Sequence, residues 1–159
     1  MKAAAIITLI LLIAALVGVG YLYMESGITA VSVSVEALPA SDWPEQTAEL
    51  QRQAASQALV GTPLGTALPE DPSQCTYYTY TVTLQNKTFL TADMVEIQVT
   101  PVGGDILQLG TESTYALPAQ STGSLSATIL TSPGLHSVRE LTVTYYFWGR
   151  PFQLRTTAR

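Results

Sequence analysis

The chain has 159 residues and a formal net charge of −5, with 12% of its positions charged and 47% apolar. An acidic balance of this kind disfavours nucleic acid as a partner, and no basic run is present that would hold anionic lipid headgroups. With a single cysteine, Cys75, no internal disulfide can form, so a folded part has to be held by apolar packing, and Cys75 is expected as a small buried residue.

Residues 3–23, AAAIITLILLIAALVGVGYLY, run for 21 positions without one charge. A helix that crosses hydrocarbon needs ~20 such residues, because its backbone polar groups can be paired only within the segment. The run therefore predicts a membrane anchor, with residues 1–24 forming a cytoplasmic stub and transmembrane helix. Lys2 precedes the run and the next basic residue is Arg52, whereas Glu25, Glu36, Asp42, Glu45 and Glu49 follow it. The positive-inside bias then keeps the amino terminus in the cytoplasm and places residues 25–159 outside, on a single-pass cell-membrane protein. A cleaved leader is the competing reading. The run exceeds the ~7–15 residues of a leader's apolar region, and Gly18-Val19-Gly20 and Ile28-Thr29-Ala30 are poor cleavage sites.

Beyond the anchor remain about 135 residues with twelve acids against six bases, a size that suits one domain with its own core. Ile28 to Ala37 alternates, with Val31, Val33, Val35 and Ala37 on one side and Ser32, Ser34 and Glu36 on the other, as in a half-buried strand. Asp42-Trp43-Pro44-Glu45 carries helix-start signals, Asp42 as N-cap and Pro44 in the first turn, and predicts a helix over about 43–59. Its stripe of Leu50, Ala54 and Ala58 is thin, so the helix is expected on the rim. The Gly-, Pro- and Thr-rich stretch over about 61–73 reads as a surface loop.

Strands follow. Tyr78, Tyr80, Val82 and Leu84 alternate with Tyr77, Thr79, Thr81 and Thr83, and Gln85-Asn86-Lys87-Thr88 has turn chemistry. Val95, Ile97 and Val99 form the next inward set, shorter strands are expected at 106–109 and 114–117, and Leu125, Ala127 and Ile129 supply another inward face. In the last pair, Gly149-Arg150 is expected as a type II′ turn. That register pairs Phe147 with Phe152, Tyr145 with Leu154 and Val143 with Thr156 inward, and Trp148 with Pro151, Tyr146 with Gln153 and Thr144 with Arg155 outward. Seven or so short strands predict an all-β, immunoglobulin-like sandwich with one short peripheral helix, although the Cys…Trp…Cys pattern of antibody domains is absent.

TYTVTLQNKTFLTADMVEIQVTPVGGDILQ and SVRELTVTYYFWGRPF, within residues 76–157, resemble the outer domains of small, uncharacterised single-span membrane proteins of Gram-positive bacteria. Asn86, Ala92 and Leu117-Pro118-Ala119-Gln120-Ser121 also resemble, more distantly, bacterial adhesion-related sandwich domains, in which a glycine usually follows the proline. The resemblance implies a fold and a location, and no chemistry.

No constellation in the chain supports catalysis. His136, the one histidine, is expected to be a surface or loop-anchoring residue, without a G-x-S-x-G elbow or a cysteine at a recognisable spacing. Asp93 with Glu96, or Asp105 after Gly103-Gly104, could contribute to a calcium site, but solvated strand ends explain them better. Neither a catalytic residue, a metal site nor a cofactor is expected. Asn86-Lys87-Thr88 has sequon form and reads as a turn. The candidate binding surface is aromatic: Tyr146 and Trp148 on the outward face of the last hairpin, and Tyr77 on the polar side of its strand. The expected function is a non-catalytic binding or accessory module that contacts a surface protein, with cell-wall glycan binding as the alternative.

Overall fold

A computed structural model of the protein describes residues 2–24, 27–55, 69, 71–109 and 115–159. In chain order the elements are helix α1 (Lys2–Met24), strand β1 (Ile28–Pro39), helix α2 (Pro44–Ala55), then β2 (Thr76–Asn86), β3 (Ala92–Val99), β4 (Asp105–Leu109), β5 (Tyr115–Leu117), β6 (Thr122–Thr131), β7 (Arg139–Phe147) and β8 (Arg150–Ala158). The strands make two antiparallel four-stranded sheets, ordered β1-β2-β6-β4 and β5-β3-β7-β8. The β1-β2-β6 and β3-β7-β8 orders match the A-B-E and C-F-G orders of immunoglobulin-type sandwiches.

Alternation builds the core between the sheets. Tyr80, Val82 and Leu84 of β2, Val95, Ile97 and Val99 of β3, Ala127 and Ile129 of β6, and Leu141, Val143 and Tyr145 of β7 are all buried there. Each fully buried aliphatic side chain contributes about 1.5–3 kcal/mol, enough in sum to hold the domain without a cross-link. A second, smaller cluster lies on the opposite face of the first sheet. There Leu38, Tyr77, Leu130 and Leu107 pair in a row across all four strands, covered by Leu50 of α2 and by Ala40 and Cys75. The helix is thus peripheral, as expected, and is attached by Leu50, its one large apolar residue, and by the hydroxyl of buried Thr47.

Three local expectations are corrected. In β1 a bulge between Ala30 and Ser32 leaves Val31 unpaired and exposed, so the inward set is Ile28, Ala30, Val33 and Val35, with Ala37 exposed as well. A one-residue insertion switches faces because the side-chain period is two. Asp42 closes a 3-10 turn over Ala40–Asp42, and α2 starts two residues later at Pro44; the Trp43 carbonyl accepts from the Thr47 N–H at 3.1 Å. The proline still occupies the first turn, where its missing N–H costs nothing. The expected helix end at 56–59, with Ala58, and most of the 61–73 loop lie outside the described residues.

The third correction concerns the last hairpin. Phe147 pairs with Arg150, Tyr145 with Phe152 and Val143 with Leu154, so the turn is Trp148-Gly149. Both residues have positive φ, +50° and +74°, which is the type I′ geometry whose twist suits a hairpin. The pairing differs from the expected one by two residues, an even number, so Leu141, Val143, Tyr145, Phe147, Phe152 and Leu154 still point inward.

Among the described residues no helix is long and apolar enough to cross a membrane. The spanning helix expected over residues 3–23 is therefore not supported among the described residues.

Candidate functional site

The sandwich has two ends of different character. At the α1 end, β1 begins and the 87–91 and 118–121 loops and the Trp148-Gly149 turn come together. Asn86 organises it: its buried Nδ2 donates to the carbonyls of Leu90 (2.8 Å), Leu117 (3.2 Å) and Pro118 (2.9 Å), and its Oδ1 accepts from the N–H and hydroxyl of Thr88. An amide fully engaged in this way is closed to glycosylation in the folded chain, and the sequon is a turn. The Lys87 N–H donates to the Gly27 carbonyl at 2.6 Å, and a Cβ on Gly27 would run into the Thr88 methyl. This fixes the start of β1 against the loop that carries Phe89.

The three aromatic candidates do not share a surface. Tyr77 is fully buried in the second cluster, where its hydroxyl shares a 3.2 Å hydrogen bond with Thr47 Oγ1 and its ring meets Trp43 edge-on at 5.3 Å. It does lie on the outward side of its strand, but α2 covers that side, and Tyr77 is no binding residue. Tyr146 is half-buried on β7 between Pro151 and Asp93. Trp148 sits on neither face, since it forms the turn tip, and is 74% exposed. Sequence reasoning missed Phe89, which is more exposed still; it stands beside the core-facing Leu90 in the short 87–91 loop, outside the strand alternation, and gave no periodic signal.

At the far end the chief missed residue is Arg139. It is buried, and its Nε and Nη2 grip both Asp105 oxygens at 3.1 and 2.7 Å. Its Nη1 donates to the carbonyls of His136 and Val138, each at 2.8 Å, and Asp105 Oδ2 also accepts from the Val102 N–H. Burial works against the Arg139 charge, but the bonds to Asp105 outweigh it and the guanidinium holds its proton more firmly than usual. Asp105 is therefore occupied by Arg139 and is not offered to a cation. Tyr78 and Tyr80 donate their hydroxyls to the carbonyls of Leu135 and Ser137, both at 2.8 Å, so the 132–138 loop is tied down from three sides. His136 is exposed in that loop, and Cys75 is buried, with its thiol pushed up by burial first and by the Asp71 charge second.

Between the ends, the outward face of the first sheet is a ladder of paired hydroxyls: Thr79 with Thr128 (2.9 Å), Thr81 with Ser126 (2.9 Å) and Thr83 with Ser124 (3.1 Å). These groups satisfy one another across strands.

No family profile and no curated protein matches this chain. Among solved structures it is similar to a yeast GGA1 GAE domain (10% identity, 51% of this chain and 76% of that chain covered, TM-score 0.39). It is also similar to a FixG-related protein from Vibrio parahaemolyticus (12% identity, 52% and 76% covered, TM-score 0.35). Neither likeness carries a function over to this chain.

Proposed function

We propose that the chain is a membrane-anchored, non-catalytic binding module, held by α1 in the cell membrane with its immunoglobulin-like sandwich outside. The supporting observation is that α1 has no acid in its first turn and no base in its last, and its large side chains from Ile6 to Val19 stay 51–65% exposed. Those side chains need a cover that the sandwich does not supply. The helix extends over 23 residues, about 34 Å of rise, and the 21-residue uncharged run lies within it. A phosphatase reporter fused after Arg159 tests the reading: it should be active outside the cytoplasm, and the protein should stay with the membrane through an alkaline carbonate wash. An inactive fusion, or release by carbonate, rejects it.

Partner contact is assigned to the far end. Its loops are held by Arg139, Asp105, Tyr78 and Tyr80, so little ordering entropy is lost on binding. Trp43, Val102 and Val138 are partly exposed there. Val138→Glu should remove a co-purifying membrane partner and leave the unfolding midpoint unchanged. The glycan reading keeps only Trp148 as a stacking platform, so it stands second; retention on cell-wall glycan that Trp148→Ala abolishes would reverse the order.

A further inference from the structure

We infer that the α1 end of the sandwich is a lipid-binding surface that lays Trp148 and Phe89 into the interfacial layer of the same bilayer that α1 enters, an inference that rests on the anchor reading above. Among the described residues of the sandwich, the large apolar side chains exposed by more than half are Phe89 (79%), Trp148 (74%), Val31 (60%) and Met94 (53%), and all four belong to this end. Elsewhere on it, Trp43, Val102 and Val138 reach only 40–43%. Among the described residues, the strongly exposed apolar side chains thus gather at one end, as at an interaction surface.

Chain length sets where this end must be. Three residues separate Met24 from Ile28, so at most about 14 Å of extended chain joins the helix to β1. The polar layer of a bilayer is roughly 5–8 Å thick on each side, so a domain so tethered, with its α1 end facing the helix, touches it. Aromatic rings are favoured in that layer because one part of each is apolar and another tolerates water. The charges agree. Lys87 and Arg150 flank the two aromatic tips, and among the described residues neither has a carboxylate partner, whereas Arg52, Arg139 and Arg155 each do. Asp93 is the one described carboxylate there. The fold thus puts both cations at the end that faces the lipid phosphates.

The tips are also held ready. Asn86 braces the loop bearing Phe89, and Trp148 occupies a positive-φ turn position that a bulky residue seldom takes and an asparagine or glycine fills at less cost. A side chain kept exposed in an unfavourable backbone conformation points to use of that side chain.

Intrinsic fluorescence of the full chain in phosphatidylethanolamine and phosphatidylglycerol vesicles tests this, because Trp43 and Trp148 are the only tryptophans. The difference between the native and Trp148→Phe spectra reports Trp148 alone and alters only an exposed turn residue. Trp148 emission should be blue-shifted and quenched roughly twofold or more by lipids with a nitroxide near the headgroup, less by a nitroxide near the chain end. Trp43, left in Trp148→Phe, should not respond. Carbonate-resistant protein whose Trp148 emits as in water, unquenched by either lipid, overturns the lipid surface and leaves the anchor standing; protein stripped by carbonate overturns both.

Discussion

Removing the Asp105 carboxylate should be the most damaging polar change in the sandwich. Asp105→Ala leaves Arg139, only 1% exposed, with Nε and Nη2 unpaired and the Val102 N–H without its acceptor. An uncompensated buried charge costs about 3–5 kcal/mol, well above the ~0–1 kcal/mol of a surface pair such as Arg155 with Glu140 at 3.6 Å. With an unfolding entropy of ~2.1 cal/mol/K per residue over about 130 residues, that corresponds to roughly 10–18 °C in Tm. Urea unfolding of residues 27–159 is the assay: Cm should fall while the slope stays constant, and added salt should not reproduce the loss because the pair is shielded from ions. Arg139→Met should cost about as much, whereas the double variant Asp105→Leu/Arg139→Met should recover most of it, since no buried charge is then unpaired. A loss below about 1 kcal/mol for Asp105→Ala, or a double variant that loses the sum of both singles, would refute the account.

Val143→Asp should prevent folding, since Val143 is fully buried between the sheets, while Thr144→Lys, half-exposed beside Glu96, should stay within about 0.5 kcal/mol; equal damage in circular dichroism melts would put the hairpin faces in error. Tyr115 has a buried hydroxyl with no partner among the described residues, so Tyr115→Phe should raise stability by about 1 kcal/mol, and a destabilised variant would mean that the hydroxyl is bonded after all. Burial pushes the Tyr80 hydroxyl up to about 12, with Arg139 opposing, and Tyr77, Tyr115 and Tyr145 shift upward for the same first cause. The native state therefore keeps protons that the unfolded chain loses near pH 10: stability is complete below that pH and falls between about 10 and 12, by on the order of 2 kcal/mol for Tyr80 alone. A urea midpoint that is unchanged from pH 8 to pH 11 contradicts this.

Period-two alternation was sufficient to locate most strands and the inward residues of β2, β3, β6, β7 and β8, because burial on one face of a pleated strand writes itself directly into the order of side chains. The uncharged run of residues 3–23 likewise marked a helix before any fold was known. What alternation cannot register is an event that preserves parity or breaks it once. The last hairpin moved by two residues without changing a face, so Trp148 passed from a strand to a turn tip unseen, and the bulge at Val31 reversed a face with no flanking glycine or proline to mark it. Tyr77 is legible as outward from its strand, but whether outward means wet depends on α2, which crosses from a segment thirty residues earlier. The same holds for the Arg139–Asp105 pair. Their proximity is created by strand order, and strand order is set by which buried faces fit together, a property of the whole core that no local stretch of sequence contains.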